Sequence, residues 1–152
     1  MLFKNIFKQL IVDFAQKKFS IFYPRTYNFP EIIGKAITLV GPRRCGKTFL
    51  LYLQIEKLIK KGIPKSNILY INFEDNRLNG VTLNDLEQLL TAYFELFPNH
   101  KEKTTYMFLD EIQEVNSWEK FVRRILDNEN MHLFLTGSSA KIFGSDISTV
   151  LI

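Results

Sequence analysis

Gly41-Pro42-Arg43-Arg44-Cys45-Gly46-Lys47-Thr48 is the stretch whose reading decides the fold. It fits G-x-x-x-x-G-K-[ST], the loop that cradles phosphates with backbone N–H groups. At average glycine usage, a chain of this length meets that pattern by accident about once in 200 sequences. The flanks sharpen it. Ala36-Ile37-Thr38-Leu39-Val40 is an apolar run ahead of the loop, and Phe49 to Ile59 is a helical pattern behind it. Strand, loop and helix in that order aim the amides at a phosphate seated on a helix N-terminus. The binding stretch is therefore Gly41, Pro42, Arg43, Arg44, Cys45, Gly46, Lys47, Thr48 and Phe49. Gly41 and Gly46 allow conformations and close approach that a side chain forbids. Lys47 brings a mobile point charge to the β- and γ-phosphates. Thr48 offers Mg²⁺ a hard oxygen.

Around this loop, strand-like and helix-like runs alternate. Leu2, Phe3, Ile6, Phe7, Leu10, Ile11 and Phe14 recur at helical spacing, with Lys4, Lys8 and Asp13 opposite. An amphipathic basic helix of this kind suits packing on the domain or a partner better than a membrane surface. Tyr23 to Pro30 holds two prolines and reads as an extended lead-in to a strand opened by Gly34-Lys35. The helix after the loop stops at Lys60-Lys61-Gly62, with cations in the last turn and then glycine. Ile68 to Phe73 reads as a buried strand. Thr82 and Asp85 form a capping box before a helix striped with Leu83, Leu86, Leu89, Leu90, Tyr93, Phe94 and Phe97. Tyr106 to Leu109 is a third strand, Ser117 caps a short helix through Leu126, and Met131 to Leu135 is a fourth strand. Such alternation implies a parallel sheet covered on both faces. The expected organisation is a helix and lead-in over residues 1–34 and a phosphate-loop domain over 35–152.

The second motif is Tyr106-Met107-Phe108-Leu109-Asp110-Glu111, apolar strand residues ending in two carboxylates. Strand C-termini are where open α/β sheets bind ligands. Asp110 is placed to complete the Mg²⁺ site begun by Thr48, and Glu111 to orient and deprotonate an attacking water. Leu133 to Leu135 then runs into Thr136-Gly137-Ser138-Ser139, a strand ending in hydroxyls suited to sensing a γ-phosphate. Ser138 is the first choice, with Ser139 and Thr136 as alternatives. Ser139 is equally suited to cap the next helix.

Composition narrows the setting. One cysteine in 152 residues excludes an internal disulfide framework and fits a reducing compartment, so the cytoplasm is expected. A net charge of +4 is weak support for a polyanionic partner. No stretch reaches membrane-spanning length. His100 and His132 lack metal-ligand spacing. Arg123 and Arg124 lie off the apolar face of their helix, and fit a subunit, protein or DNA contact as well as a solvated face. Arg43 and Arg44 fit phosphate, a neighbouring subunit in a homo-oligomer, or solvent.

Together, Gly41 to Thr48, Ile71-Asn72-Phe73-Glu74-Asp75, Leu109-Asp110-Glu111-Ile112-Gln113 and Thr136 to Ser139 resemble a family of prokaryotic AAA+-type P-loop ATPases. In that family an ATP-binding N-terminal domain precedes an uncharacterised C-terminal region. The resemblance spans about Arg25 to Ser145. It implies an α/β P-loop NTPase fold of three αβα layers, with a mainly parallel sheet in which a strand is inserted between the Walker A and Walker B strands. It also implies ATP as the nucleotide and ATP hydrolysis as the activity. Family members continue into an Arg-bearing segment and a fifth core strand. Ending at Ile152, this sequence is expected to hold about four strands, to leave Ala36 to Val40 as an exposed edge, and to be a fragment without an arginine finger. Two other readings compete: a P-loop kinase acting on a small molecule, and a nucleotide-regulated binding module with negligible turnover.

Overall fold

The computed structural model describes residues 2–18, Phe29, residues 35–138 and the backbone of Ile147–Leu151. The lead-in around Pro24 and Pro30, the outer limits of the resemblance at Arg25 and Ser145, and Ser139 all lie outside the described residues. Helices α1 (Leu2–Gln16), α2 (Lys47–Lys60), α3 (Leu83–Leu96) and α4 (Trp118–Asn128) alternate with strands β1 (Ala36–Val40), β2 (Ile68–Asn72), β3 (Thr105–Asp110), β4 (Met131–Gly137) and β5 (Ile147–Leu151). The strands form one parallel sheet in the order β2-β3-β4-β1-β5. β4 therefore lies between the strand that feeds the phosphate loop and the strand that ends in Asp110, as the resemblance implies.

The sequence reading is corrected at one flank of the sheet. β1 is not an exposed edge, because Ile147–Leu151 pairs with it in parallel register from Ala36↔Ile147 to Val40↔Leu151. With a neighbour on both sides, all five residues of β1 are buried, which is why the run Ala-Ile-Thr-Leu-Val lacks polar alternation. The segment that supplies the fifth strand, Ile-Ser-Thr-Val-Leu, is short and β-branched, and it lies at the end of a chain read as stopping beyond its sensor.

Strand alternation sorts the core into two faces. On one, Ile37, Leu39, Ile68, Phe108 and Phe134 pack against Leu50, Leu51, Ile55 and Leu58 of α2. On the other, Leu69, Ile71, Met107, Leu109, Leu133 and Leu135 pack against α3 and α4. Helix α1 lies against β2 and α3 at the sheet's outer flank. Its Phe7, Leu10 and Ile11 join the α3–α4 face, while Phe14, one turn on, reaches the α2 face. Burying four such side chains contributes several kcal/mol at about 2 kcal/mol each. The exposed pairs Lys4–Glu95 and Lys8–Glu95 add far less.

Helix ends follow local chemistry. After α2, Gly62 at φ 95 donates to the Ile59 carbonyl and Ile63 N–H to the Leu58 carbonyl, the double bond of a Schellman stop. Asp85 accepts from both the backbone N–H and the hydroxyl of Thr82, closing the expected box. Ser117 differs from expectation. It occupies the N-cap of α4 at φ 61 and its side chain makes no capping bond; its carbonyl instead accepts from the Lys120 N–H.

Candidate functional site

The site lies at the C-terminal edge of the sheet, and strand register assembles it. Phe108 faces α2, so Asp110, two residues on, faces the same way at the mouth of the sheet. Tyr70 pairs with Phe108 in the neighbouring strand, and Thr136 follows Phe134 at the same spacing. Three side chains from three strands thus converge below the first turn of α2. Gly46, at the N-cap of α2, takes φ 99, and a Cβ there would meet nothing within 4 Å. Glycine is demanded by the backbone conformation, not by crowding. Arg44 also sits in the left-handed region at φ 63. The two successive kinks turn the loop back over the end of β1, where Gly41 N–H donates to the Gly137 carbonyl.

Asp110 is 1% exposed. Thr48 Oγ1 donates to its Oδ2 at 2.8 Å, Tyr70 Oη to the same oxygen at 2.6 Å, and Thr136 Oγ1 to Oδ1 at 2.5 Å. Among the described residues no ion pair reaches this carboxylate. A buried anion beside a threonine hydroxyl, with no protein cation, is a donor set suited to a hard divalent ion that draws its other ligands from water and phosphate. Among the described residues there is no group of three or more His, Cys, Asp or Glu that could hold a metal by itself. Burial, and then the charge of Asp110, push the Tyr70 hydroxyl well above the usual tyrosine range, so it stays a proton donor.

Lys47 is buried, and its Nζ donates to the carbonyls of Gly41 at 2.6 Å and Pro42 at 2.9 Å. It also stands 3.7 Å from Glu111 Oε1. Glu111 adopts φ 55, an uncommon conformation for a residue with a side chain, and is almost fully buried. Its N–H donates to Thr136 Oγ1 at 2.8 Å. Gln113 Nε2 donates to Glu111 Oε2 at 2.5 Å and to Ser138 Oγ at 3.2 Å. Lysine on one side and glutamine on the other therefore hold the Glu111 carboxylate in place.

Most residues expected from sequence come together here: Gly41, Gly46, Lys47, Thr48, Asp110, Glu111 and Ser138. The hydroxyl alternatives separate. Thr136 is fully buried and occupied at Asp110 and the Glu111 amide, whereas Ser138 is only part-buried and sits one residue beyond the strand. Cys45 is part-buried, its Sγ 4.0 Å from Lys47 Nζ. Arg43 turns away from the loop's interior, pairing with Glu74 at 3.1 Å and Glu114 at 3.7 Å while two-thirds exposed. Arg124 pairs with Glu87 and Glu129. Pro42 contributes its carbonyl, and Phe49 lies one residue into α2 beyond Thr48. Two residues carry weight that the sequence reading gave no role, Tyr70 and Gln113. Period-2 counting places Asp110 on the face of Phe108, but only the observed register pairs Tyr70 with Phe108 and so brings it to that site.

A phosphate loop on β1, an inserted β4 and an Asp-Glu pair ending β3 define an AAA+-type P-loop nucleotide-binding domain. Residues 34–152 match the AAA_14 family, described as an AAA domain, and the chain belongs to that family. It is 36% identical over 150 residues, 97% of its length, to the uncharacterised protein MJ1544 of Methanocaldococcus jannaschii, and covers 31% of that protein. It is 37% identical over 112 residues, 73% of its length, to an uncharacterised Haemophilus influenzae protein, and covers 27% of it. The chain thus spans about a third or less of these relatives' lengths. Among solved structures, C. elegans PCH-2 aligns over 98% of this chain and 41% of its own, at 13% identity and a TM-score of 0.48. Among the described residues no helix is long and apolar enough to cross a membrane.

Proposed function

We propose that residues 35–152, flanked by the helix and lead-in of 1–34, bind ATP with Mg²⁺ and, within the longer protein, hydrolyse it in the cytoplasm. The observation that carries this reading is the pairing of Thr48 with Asp110 at 2.8 Å, across the mouth from Lys47 and Glu111. Lys47 would exchange its carbonyl partners for the β- and γ-phosphates, guided by the amides around Gly46. Thr48 and Asp110 would hold Mg²⁺, which when bound neutralises charge on the phosphates. Glu111 would orient the attacking water and accept its proton, and Ser138 would contact the γ-phosphate. Thr136 supports the Asp110 carboxylate and the Glu111 backbone N–H from beneath.

A second reading, a nucleotide-regulated binding module, draws on the restraint of Glu111. Gln113 and Lys47 occupy both of its oxygens, and a base so held abstracts protons only after release. Assembly into a homo-oligomer, or a protein or DNA partner, could supply that release.

One experiment separates the readings. Glu111→Gln should keep ATP–Mg²⁺ affinity within about twofold and lower turnover by at least about 100-fold, the scale of general-base catalysis. Lys47→Ala should lose nucleotide binding. A wild-type protein without turnover, in its full length and with its partners present, would favour the binding module. Undiminished ATP binding by Lys47→Ala would end the nucleotide reading.

A further inference from the structure

We propose that Tyr70 is a positioning residue for the divalent-cation site and that α1 is the brace that holds it. This rests on the reading of Asp110 as the Mg²⁺ carboxylate. Two hydroxyls from separate elements meet at Asp110 Oδ2, Thr48 from α2 at 2.8 Å and Tyr70 from β2 at 2.6 Å. An oxygen held from two directions has its orientation fixed before any ion arrives, and that preorganisation sets how well a carboxylate serves a metal. Packing alone would accept phenylalanine at position 70; the hydroxyl is what Asp110 uses.

The ring that carries the hydroxyl is itself wedged. Phe14 of α1 stacks on it at 5.8 Å and 25°, and Tyr52 of α2 packs against it at 5.4 Å. Phe14 is 6% exposed. Below it, Lys65 Nζ donates to the carbonyls of Ala15 and Lys17 and tethers the end of α1 to the turn before β2. Lys17 Nζ in turn donates to Tyr52 Oη at 2.9 Å. A helix that precedes the family-matched residues 34–152 is thus two side chains from the metal carboxylate.

The test is a Mg²⁺ titration of fluorescent ATP-analogue binding, read with the metal present and with it chelated. It compares the wild-type chain, Tyr70→Phe, Phe14→Leu and Asp110→Asn. Tyr70→Phe should raise the half-saturating Mg²⁺ about tenfold, the loss of one hydrogen bond to a charged group, while leaving metal-free binding unchanged. Phe14→Leu, which keeps an apolar side chain but loses the stack, should move the same quantity in the same direction by a smaller factor. Asp110→Asn should abolish the Mg²⁺-dependent gain. If Asp110→Asn does so and Tyr70→Phe titrates like wild type, the inference is overturned while the metal reading stands. If Asp110→Asn titrates like wild type, the metal reading fails and the inference with it. A change in melting temperature without a change in the Mg²⁺ midpoint assigns Tyr70 a purely structural role and overturns it too.

Discussion

Thr136→Val isolates what the buried hydroxyl between the Asp110 carboxylate and the Glu111 amide contributes. Valine fills nearly the same volume as threonine, so no cavity opens, and the change removes one oxygen with two hydrogen bonds. The Glu111 N–H, which reaches Thr136 Oγ1 at 2.8 Å, is left without that partner in a fully buried setting. An unpaired buried donor costs about 1–3 kcal/mol, and a hydrogen bond to a charged group is worth about 1.5–3 kcal/mol. Asp110 Oδ1 loses a bond of the second kind. The expected loss is therefore about 3–5 kcal/mol. For a domain of this size, at about 2–4 °C per kcal/mol, the melting temperature should fall by about 10 °C. Urea unfolding followed through Trp118, the single tryptophan and 4% exposed, measures it directly. The midpoint should drop with an unchanged slope. Thr136→Ser, which keeps the oxygen and loses a methyl, should cost about 1 kcal/mol. A valine variant no less stable than the serine variant would refute the reasoning, because the hydroxyl would then contribute nothing.

Two further outcomes follow from groups away from the mouth of the sheet. Burial, and then Lys103, hold the His100 imidazole below its ordinary value, so the unfolded chain takes up the proton first. Stability should therefore be full above about pH 6.5 and decline as the pH falls through that value toward the folded-state pKa; His100→Gln should flatten this part of a pH-dependent denaturation series. Thr38 Oγ1, in the middle of β1, is buried with no hydrogen-bond partner among the described residues. Thr38→Val should raise stability by about 1 kcal/mol in the same urea assay, and a loss of that size would show the hydroxyl to be satisfied after all.

The elements nearest the phosphate loop were the most legible in the sequence. Gly41 to Thr48 between an apolar run and a helical one fixes strand, loop and helix together, and the Schellman stop and the Thr82 box announce themselves in a few residues. The pairing partners of β1 were harder. Ile147–Leu151 has no neighbouring motif, and four β-branched or apolar residues broken by Ser148 declare a strand only when β1 is seen to need one. Within the site, residue type found Lys47, Thr48, Asp110 and Glu111, whose chemistry is tied to a motif. Tyr70 escaped because an aromatic residue in an apolar strand reads as core, and its ring is packed as core; only its hydroxyl differs. Gln113 escaped because an amide three residues past the strand has no signature beyond where the turn aims it, and the left-handed Glu111 sets that aim.

The parallel order of the sheet has a consequence for how the chain matures. The floor of the phosphate cradle is Gly137, whose carbonyl receives the Gly41 amide, and Val40 lies opposite it in register. Roughly a hundred residues separate these partners, a closure that ranks with the slow ones in small-domain folding. During synthesis the loop leaves the ribosome long before anything can anchor it. The loop can close only once Gly137 has emerged, so the arrangement of Gly41 to Thr48 waits on a strand made about a hundred residues later.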